Sequence, residues 1–143
     1  MRLARYLAKE GVAPSVGIID NMDNIFEIHS TGGELGTLLL LDKESLEKVA
    51  TTSIKKHKLS DVRLLAPIGN PGKILALAGN YHPHNTFRDI DVDIETPQFF
   101  IKPRTSLIGP GEVIPNTNGN STLNTIEENE LGVIIGKPGK NIS

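Results

Sequence analysis

Two carboxylates separated by one residue, Glu128 and Glu130, lie near the end of the sequence and run directly into the apolar segment 131–136. Alternate side chains of a β-strand point to one face, so both glutamates would share a face, about 7 Å apart. Acids so placed repel each other, and a divalent cation between them would relieve that repulsion. Mg²⁺ and Ca²⁺ bind carboxylate oxygens, and the pair offers part of such a ligand set. The alternative is that both glutamates simply face water, as most charged side chains do.

A second candidate is the pair His82 and His84, which follows an apolar strand candidate and the loop residues 79–81. Loops at strand ends commonly carry catalytic groups. Histidine can act as a general base near neutral pH or as a metal ligand. The alternative is that both are loop histidines with local hydrogen bonds. His29 and His57 are interpreted as structural or solvated.

A third candidate is the basic pair Lys102 and Arg104, which shares one face if the segment is extended. Cationic side chains so placed could clamp the carboxylate of a substrate. The alternative is an ordinary surface pair with no ligand.

Short strands and ordered loops must position these residues, because eight of the nine prolines follow residue 66. Proline removes an amide donor and breaks helices. The sequence predicts strands over 73–78 and 98–101. It also predicts turns at residues 69–72 and 109–111, which are rich in glycine and proline.

The first sixty residues predict a small α+β unit. The apolar runs 16–19 and 25–28 flank the polar residues 20–24, which indicates a β-hairpin. Asp42 is a candidate N-cap for a helix over 43–57, whose final lysines would suit the negative end of the helix dipole. The apolar positions at helical spacing are Leu46, Val49, Ala50 and Ile54.

The composition narrows the class of protein. The 143 residues are 38% hydrophobic and 22% charged, as in ordinary soluble domains. A net charge of −2 gives no electrostatic argument for a nucleic-acid or membrane partner. The absence of cysteine excludes disulfides, thiolate zinc sites and cysteine nucleophiles. The first ten residues do not read as a secretory signal and no apolar run could span a bilayer, so we expect a cytoplasmic protein.

Several well-known site motifs do not occur in the sequence. The segment 136–140 lacks the spacing and the hydroxyl of a phosphate-binding loop, and there is no G-x-S-x-G, H-E-x-x-H or G-x-G-x-x-G motif. The alternating acids of segment 89–95 lack the glycine and the length of a calcium-binding loop.

The order of the remaining features resembles the fumarylacetoacetate hydrolase family. The motifs that carry the resemblance are N-Y-x-x-H, F-x-K-P, T-S-L-I-G-P-G and E-x-E-L-x-V-x-I-G, found here at residues 80–84, 100–103, 105–111 and 128–136. The match covers about residues 60–143 and is specific as an ordered set. The first sixty residues resemble the small, variable N-terminal domain that many members carry.

The resemblance implies an α+β, mostly β fold, with a small N-terminal α+β domain over 1–60. An incomplete part of a mixed β-roll, the catalytic core, would follow over 61–143. It further implies a homodimer that holds Mg²⁺, Mn²⁺ or Ca²⁺ between carboxylates. Members act on 1,3-dicarbonyl compounds, acylpyruvates and related 2-oxo acids by C–C hydrolysis, decarboxylation, isomerisation or hydration.

Site residues follow from the same resemblance. Glu128 and Glu130 would be metal ligands, His84 the catalytic base, and Lys102 and Tyr81 substrate-binding residues. A cation that chelates two substrate oxygens withdraws electrons and stabilises the enolate formed when the C–C bond breaks.

The sequence departs from the family pattern in two places. Phe87 stands where some members have a glutamate that partners the histidine, although Asp89 or Asp91 could replace it. The family's third metal carboxylate lies on a later strand, beyond Ser143, so we expect the N-terminal portion of a member that is inactive alone. Both departures favour the alternative of a non-catalytic binding or assembly scaffold. A third reading is an unrelated β-rich module that binds metal through His82 and His84.

Overall fold

The computed structural model describes residues 1–28, 32–36, 38–81, 96–115 and 128–142. Over these ranges the protein is mostly β with one α-helix, which confirms the predicted fold class at that level. No helix in the described ranges is long and apolar enough to cross a membrane. The chain divides into two compact units, one formed by residues 1–69 and 108–143 and the other by residues 70–107. The predicted division of the whole protein into domains at residue 60 stays a prediction.

The first unit contains a five-stranded antiparallel sheet. Its strands are β1 (Arg2–Leu7), β2 (Ser15–Ile19), β3 (Asn24–Ile28), β4 (Lys56–Lys58) and β5 (Arg63–Leu64). Strands β2 and β3 confirm the predicted hairpin, and their connecting turn is held by Asp20, whose carboxylate accepts from the backbone N–H groups of Met22 (2.8 Å) and Asn24 (2.9 Å). The Asn24 side-chain amide also donates to this carboxylate at 2.8 Å, and this bond, together with the backbone bonds, lowers the pKa of Asp20. The spatial order is β4-β3-β2-β1-β5.

The short connection between the two edge strands forces this sheet to curl. A flat sheet would separate β4 from β5 by about 19 Å, at roughly 4.8 Å per strand. From Lys58 to Arg63 a fully extended chain spans at most about 18 Å, and Leu59–Asp61 form a compact 3₁₀ turn instead. The ring centroids of Tyr6 on β1 and His57 on β4 lie only 5.7 Å apart, although two strands separate β1 from β4. The two edges of the sheet therefore approach each other.

Apolar side chains are buried on both faces of the curled sheet, because each strand alternates its side chains between the faces. Gly17 leaves room on the inner face, since a Cβ there would lie 2.5 Å from Cγ2 of Ile25 and 2.7 Å from the carbonyl oxygen of Phe26. The inner face buries Ala4, Tyr6, Ile19 and Ile25. The outer face buries Val16, Ile18 and Ile28 together with Leu35, Leu38 and Leu46.

Helix α1 spans Lys43–Thr52, so the prediction that it continues to residue 57 is wrong. The predicted N-cap is confirmed: the Asp42 carboxylate accepts from the backbone N–H of Ser45 at 2.7 Å, and this bond lowers the pKa of Asp42. Only one side of the helix is buried, and Leu46 is the residue of α1 that joins the core.

Competition from the sheet ends helix α1 early. Ser53 takes an extended backbone conformation, and its hydroxyl donates to the carbonyl of Glu27 at 2.6 Å. The N–H of Glu27 then donates to the carbonyl of Lys55 at 3.0 Å, which starts the pairing of β4 with β3. Ile54, expected on the buried side of the helix, is 92% exposed. The lysines expected at the helix end lie instead on and beside β4.

The second unit contains a two-stranded antiparallel ribbon, formed by β6 (Ile74–Ala78) and β7 (Gln98–Lys102). Both strands were predicted from their apolar runs and are confirmed. Ile74 pairs with Lys102 at one end of the ribbon, and Ala78 pairs with Gln98 at the other. A 3₁₀ turn, Arg104–Ser106, follows β7 directly.

Candidate metal and substrate site

The ribbon places the two predicted substrate-binding residues at opposite ends. Lys102 is the last residue of β7 and lies beside Ile74, where β6 begins. Tyr81 lies three residues beyond Ala78, where β6 ends, and Gly79 turns the chain there with a φ of +65°, a conformation that glycine adopts without strain. The length of the ribbon, about 13 Å for four residue steps, therefore separates these two positions along the strands.

Lys102 has a partner that the sequence did not indicate. Its Nζ lies 5.6 Å from the ring centroid of Phe100, within the range of a cation–π interaction. Phe100 precedes Lys102 by two residues on the same strand, so both side chains project from one face of the ribbon.

Arg104 does not share that face, because the strand ends before it. The extended segment that would have aligned Lys102 with Arg104 stops at Lys102, and Arg104 begins the 3₁₀ turn. Its guanidinium donates to Oδ1 of Asn70 at 2.7 Å, which ties the end of β7 to the turn preceding β6. The interaction supports a structural role for Arg104.

The motif segment after β7 ends in the predicted glycine-rich turn. The N–H of Glu112 donates to the carbonyl of Gly109 at 3.2 Å, and Gly111 takes a φ of +77°. The Glu112 carboxylate closes the turn by accepting from the N–H of Gly109 at 3.0 Å, and it also lies 3.5 Å from the guanidinium of Arg63. These contacts fix residues 109–112 within the first unit.

The two predicted metal ligands, Glu128 and Glu130, are exposed. Residues 128–142 form neither helix nor strand, so the strand that would place Glu128 and Glu130 on one face is not present in this described segment. A strand needs a hydrogen-bonded neighbour, and no strand of the described residues pairs with this segment. Whether both carboxylates bind one ion stays a prediction.

His84, the predicted base, and His82 lie outside the described residues, as do Phe87, Asp89 and Asp91. Among the residues that the structure does describe, no group of three or more His, Asp or Glu side chains is placed to hold a metal ion. The donors present fit a hard cation by type, since Glu128 and Glu130 both offer carboxylate oxygens to solvent. They supply part of a ligand set.

The first unit contains a buried polar cluster around Glu27 that was not predicted from the sequence. Glu27, nearly buried, receives a hydrogen bond from the Tyr6 hydroxyl at 3.5 Å and lies 3.3 Å from Nζ of Lys55 and 3.5 Å from Nε2 of His57. Burial, reinforced by the Glu27 carboxylate, raises the pKa of Tyr6 far above its ordinary value. The interpretation of His57 as structural agrees with this setting. The cluster joins β1, β3 and β4. The pattern that could have indicated it, an aromatic residue and a carboxylate within alternating apolar strands, is too weak in the sequence to predict a contact.

Comparison with known proteins identifies the part of the chain in which the candidate residues lie. A family model described as fumarylacetoacetate (FAA) hydrolase C-terminal matches residues 73–143. That range contains all five predicted site residues, together with the ribbon and the segment 128–142.

Individual relatives agree with that match. A Xenopus laevis protein named oxaloacetate tautomerase fahd2, mitochondrial, is 31% identical over 150 residues, covering 99% of this chain and 46% of the relative. A maleylpyruvate hydrolase of Aquipseudomonas alcaligenes is 34% identical over 95 residues, covering 59% of this chain and 32% of the relative. An uncharacterized protein of Staphylococcus aureus is 32% identical over 87 residues, 61% of this chain and 28% of the relative. The chain therefore spans less than half the length of these relatives.

Proposed function

We propose that the whole protein is a metal-dependent enzyme that acts on 2-oxo acids and related compounds. The premise is that this chain belongs to the fumarylacetoacetate hydrolase family. The enzyme's substrates are 1,3-dicarbonyl compounds, acylpyruvates or related 2-oxo acids, and its reaction is C–C hydrolysis, decarboxylation or isomerisation. The observation that carries the proposal is the ordered set of candidate residues inside the matched range 73–143. Two relatives named as a tautomerase and a hydrolase support the same chemistry.

In this proposal the acids hold the metal and the other residues handle the substrate. Glu128 and Glu130 would bind Mg²⁺, Mn²⁺ or Ca²⁺ through their carboxylate oxygens. When bound, such an ion would act as a Lewis acid on the substrate's carbonyl oxygens. Lys102 would bind the substrate carboxylate through its ammonium group.

Proton transfer is assigned to His84 and orientation to Tyr81. The imidazole of His84 would take a proton from water in hydrolysis, or from the carbon next to the carbonyl in isomerisation. The phenol of Tyr81 would donate a hydrogen bond to the substrate, a role that suits a half-buried side chain in the loop that follows a strand.

The assembly belongs to the same proposal. A mixed β-roll would complete the catalytic core, and the protein would act as a homodimer with a small-molecule substrate and without nucleic acid or membrane. The 143 residues alone would show little activity, because Glu128 and Glu130 supply only part of a divalent-cation ligand set.

A second candidate function is a non-catalytic scaffold that binds or assembles other components. Phe87 favours it, since phenylalanine cannot serve as the partner that orients and activates a basic histidine. This alternative predicts no turnover of any 2-oxo acid by the whole protein.

The two functions separate in one experiment on the whole protein. Mg²⁺ and Mn²⁺ binding is measured by calorimetry, and turnover of an acylpyruvate and of oxaloacetate by absorbance. Glu128→Gln and Glu130→Gln should each weaken metal binding at least tenfold and abolish turnover. Glu44→Gln is the matched control, because Glu44 is an exposed helix residue outside the matched range. Full turnover in both site variants would reject the enzyme assignment.

A further inference from the structure

We infer that Phe100 is a positioning residue, which holds the ammonium group of Lys102 on one defined face of the β6–β7 ribbon. The inference rests on the proposed function, because Lys102 is there the residue that binds the substrate carboxylate. It adds that substrate binding by Lys102 also depends on Phe100, which is not one of the predicted site residues. The observation beneath it is the 5.6 Å separation between Nζ of Lys102 and the ring centroid of Phe100.

The register of the ribbon defines the face on which this contact occurs. Residues directly opposite each other in an antiparallel pair share a face, so Lys102 shares its face with Ile74, and Phe100 with Ala76. The small side chain of Ala76 leaves the ring of Phe100 uncovered from that side, and Phe100 is 47% exposed. This face, which we call the lysine face, carries Ile74, Ala76, Ala78, Gln98, Phe100 and Lys102.

The opposite face has a different character. Leu75 pairs with Ile101 and Leu77 pairs with Phe99, so this face carries only large apolar side chains. A charged substrate has no polar partner there. The lysine face instead has a cation at one end, the amide of Gln98 at the other and an aromatic ring between them, which suits an anion with an apolar portion.

The ring limits where the lysine ammonium can lie. An unrestrained lysine has many rotamers of similar energy, and the ring favours those that bring Nζ over its face. Because Phe100 lies on a strand paired with β6, the backbone fixes the point from which its side chain leaves the ribbon, two residues before Lys102 on the same face. Loss of the ring should therefore weaken substrate binding by Lys102 without removing any group that reacts.

The test compares two phenylalanines that are adjacent in sequence and lie on opposite faces. In the whole protein, Phe100→Leu should raise KM for a 2-oxo acid about two- to fivefold with kcat nearly unchanged. Phe99→Leu removes an equal ring from the other face and should leave KM unchanged. Phe100→Tyr keeps an aromatic ring and should retain the parent KM. Circular dichroism confirms that each variant is folded.

A second readout does not depend on the reaction. Lysines are dimethylated with ¹³C, and the Lys102 signal, assigned with Lys102→Arg, is followed by NMR. Its ring-current shift should disappear in Phe100→Leu and persist in Phe99→Leu. A persistent shift in Phe100→Leu, or a KM that does not respond to loss of the ring, overturns the inference. If instead Lys102→Ala leaves turnover and KM intact, the substrate-binding role of Lys102 in the proposed function fails.

Discussion

Replacing Tyr6 with phenylalanine should make the first unit less stable at neutral pH and more stable in alkali. The Tyr6 side chain is fully buried, and its hydroxyl donates to Glu27 at 3.5 Å. Burial and the nearby carboxylate raise the pKa of Tyr6 in the folded state. The contribution of the protonated phenol is therefore fully present below the unfolded pKa of about 10, and it is lost as the pH rises above that value.

The size of the effect follows from linkage. Above pH 10 the unfolded chain releases the phenol proton while the folded chain keeps it, which lowers the free energy of unfolding by up to about 1.4 kcal/mol per pH unit. At neutral pH Tyr6→Phe loses only one long hydrogen bond, worth about 0.5 kcal/mol, and Glu27 keeps Lys55 and His57 nearby. The two stability curves should cross between pH 10 and 11, and at pH 11 the variant should be more stable by about 1 kcal/mol.

Urea unfolding followed by far-ultraviolet circular dichroism at pH 7, 8, 9, 10 and 11 measures both curves. Tyr81→Phe is the matched control, because it removes the chain's other tyrosine hydroxyl and leaves the alkaline loss due to Tyr6 in place. If the free energies of unfolding of Tyr6→Phe and the parent differ by the same amount from pH 8 to pH 11, the reasoning is refuted, since the buried phenol would then have no effect on alkaline stability.

Two further predictions concern the first unit. Gly17→Ala should lower the free energy of unfolding in urea by about 1–3 kcal/mol, because the added Cβ would overlap the side chain of Ile25. Gly36→Ala is the control and should lower it far less, because no atom lies within 4 Å of the added Cβ. Asp42→Ala should lower the stability of helix α1, and Asp42→Asn should retain most of it, because the bond to the Ser45 N–H needs an oxygen and not a charge. Since the pKa of Asp42 is lowered in the folded state, the parent should be more stable than Asp42→Ala above about pH 4, and this difference in stability should shrink as the pH falls below that value.

Local signals in the sequence were sufficient for several elements. The hairpin β2–β3, the N-cap at Asp42, the strands β6 and β7 and the turn at 109–111 were all predicted from apolar runs, capping chemistry and glycine or proline. Each of these elements depends on residues close together in the chain, which is the information that propensity and spacing contain.

Long-range pairing explains what the sequence analysis missed. Helix α1 was expected to reach residue 57, but the backbone of Lys55 and the strand β4 are bound by β3, almost thirty residues earlier. Strand β1 was not predicted at all, because Arg2 and Arg5 interrupt its apolar pattern. Arg5 is accommodated by donating to the carbonyl of Gly33 at 2.7 Å and lying 3.4 Å from Glu34, contacts that no local pattern indicates.

In the candidate site, too, some features were predicted from the sequence and others were not. The order of Tyr81, His84, Lys102, Glu128 and Glu130 was sufficient to indicate the family. The contact between Lys102 and Phe100 was not anticipated, although alternation along a strand places the two on one face. Rotamers decide whether a shared face becomes a contact, and the sequence does not specify them.

The curled sheet of the first unit also constrains when the protein can fold during synthesis. Strand β1 is made before the other four strands of this sheet but lies inside it, with β2 on one side and β5 on the other. Its pairing with β2 is possible once residue 19 has left the ribosome, whereas its second edge stays open at Tyr6 and Leu7 until β5, which ends at Leu64, is available. The nascent chain therefore exposes an unpaired inner strand edge for about 45 residues of elongation, a period of seconds at ordinary rates of synthesis. Mutations that slow closure by β5 should act on the yield of folded protein before they act on its final stability.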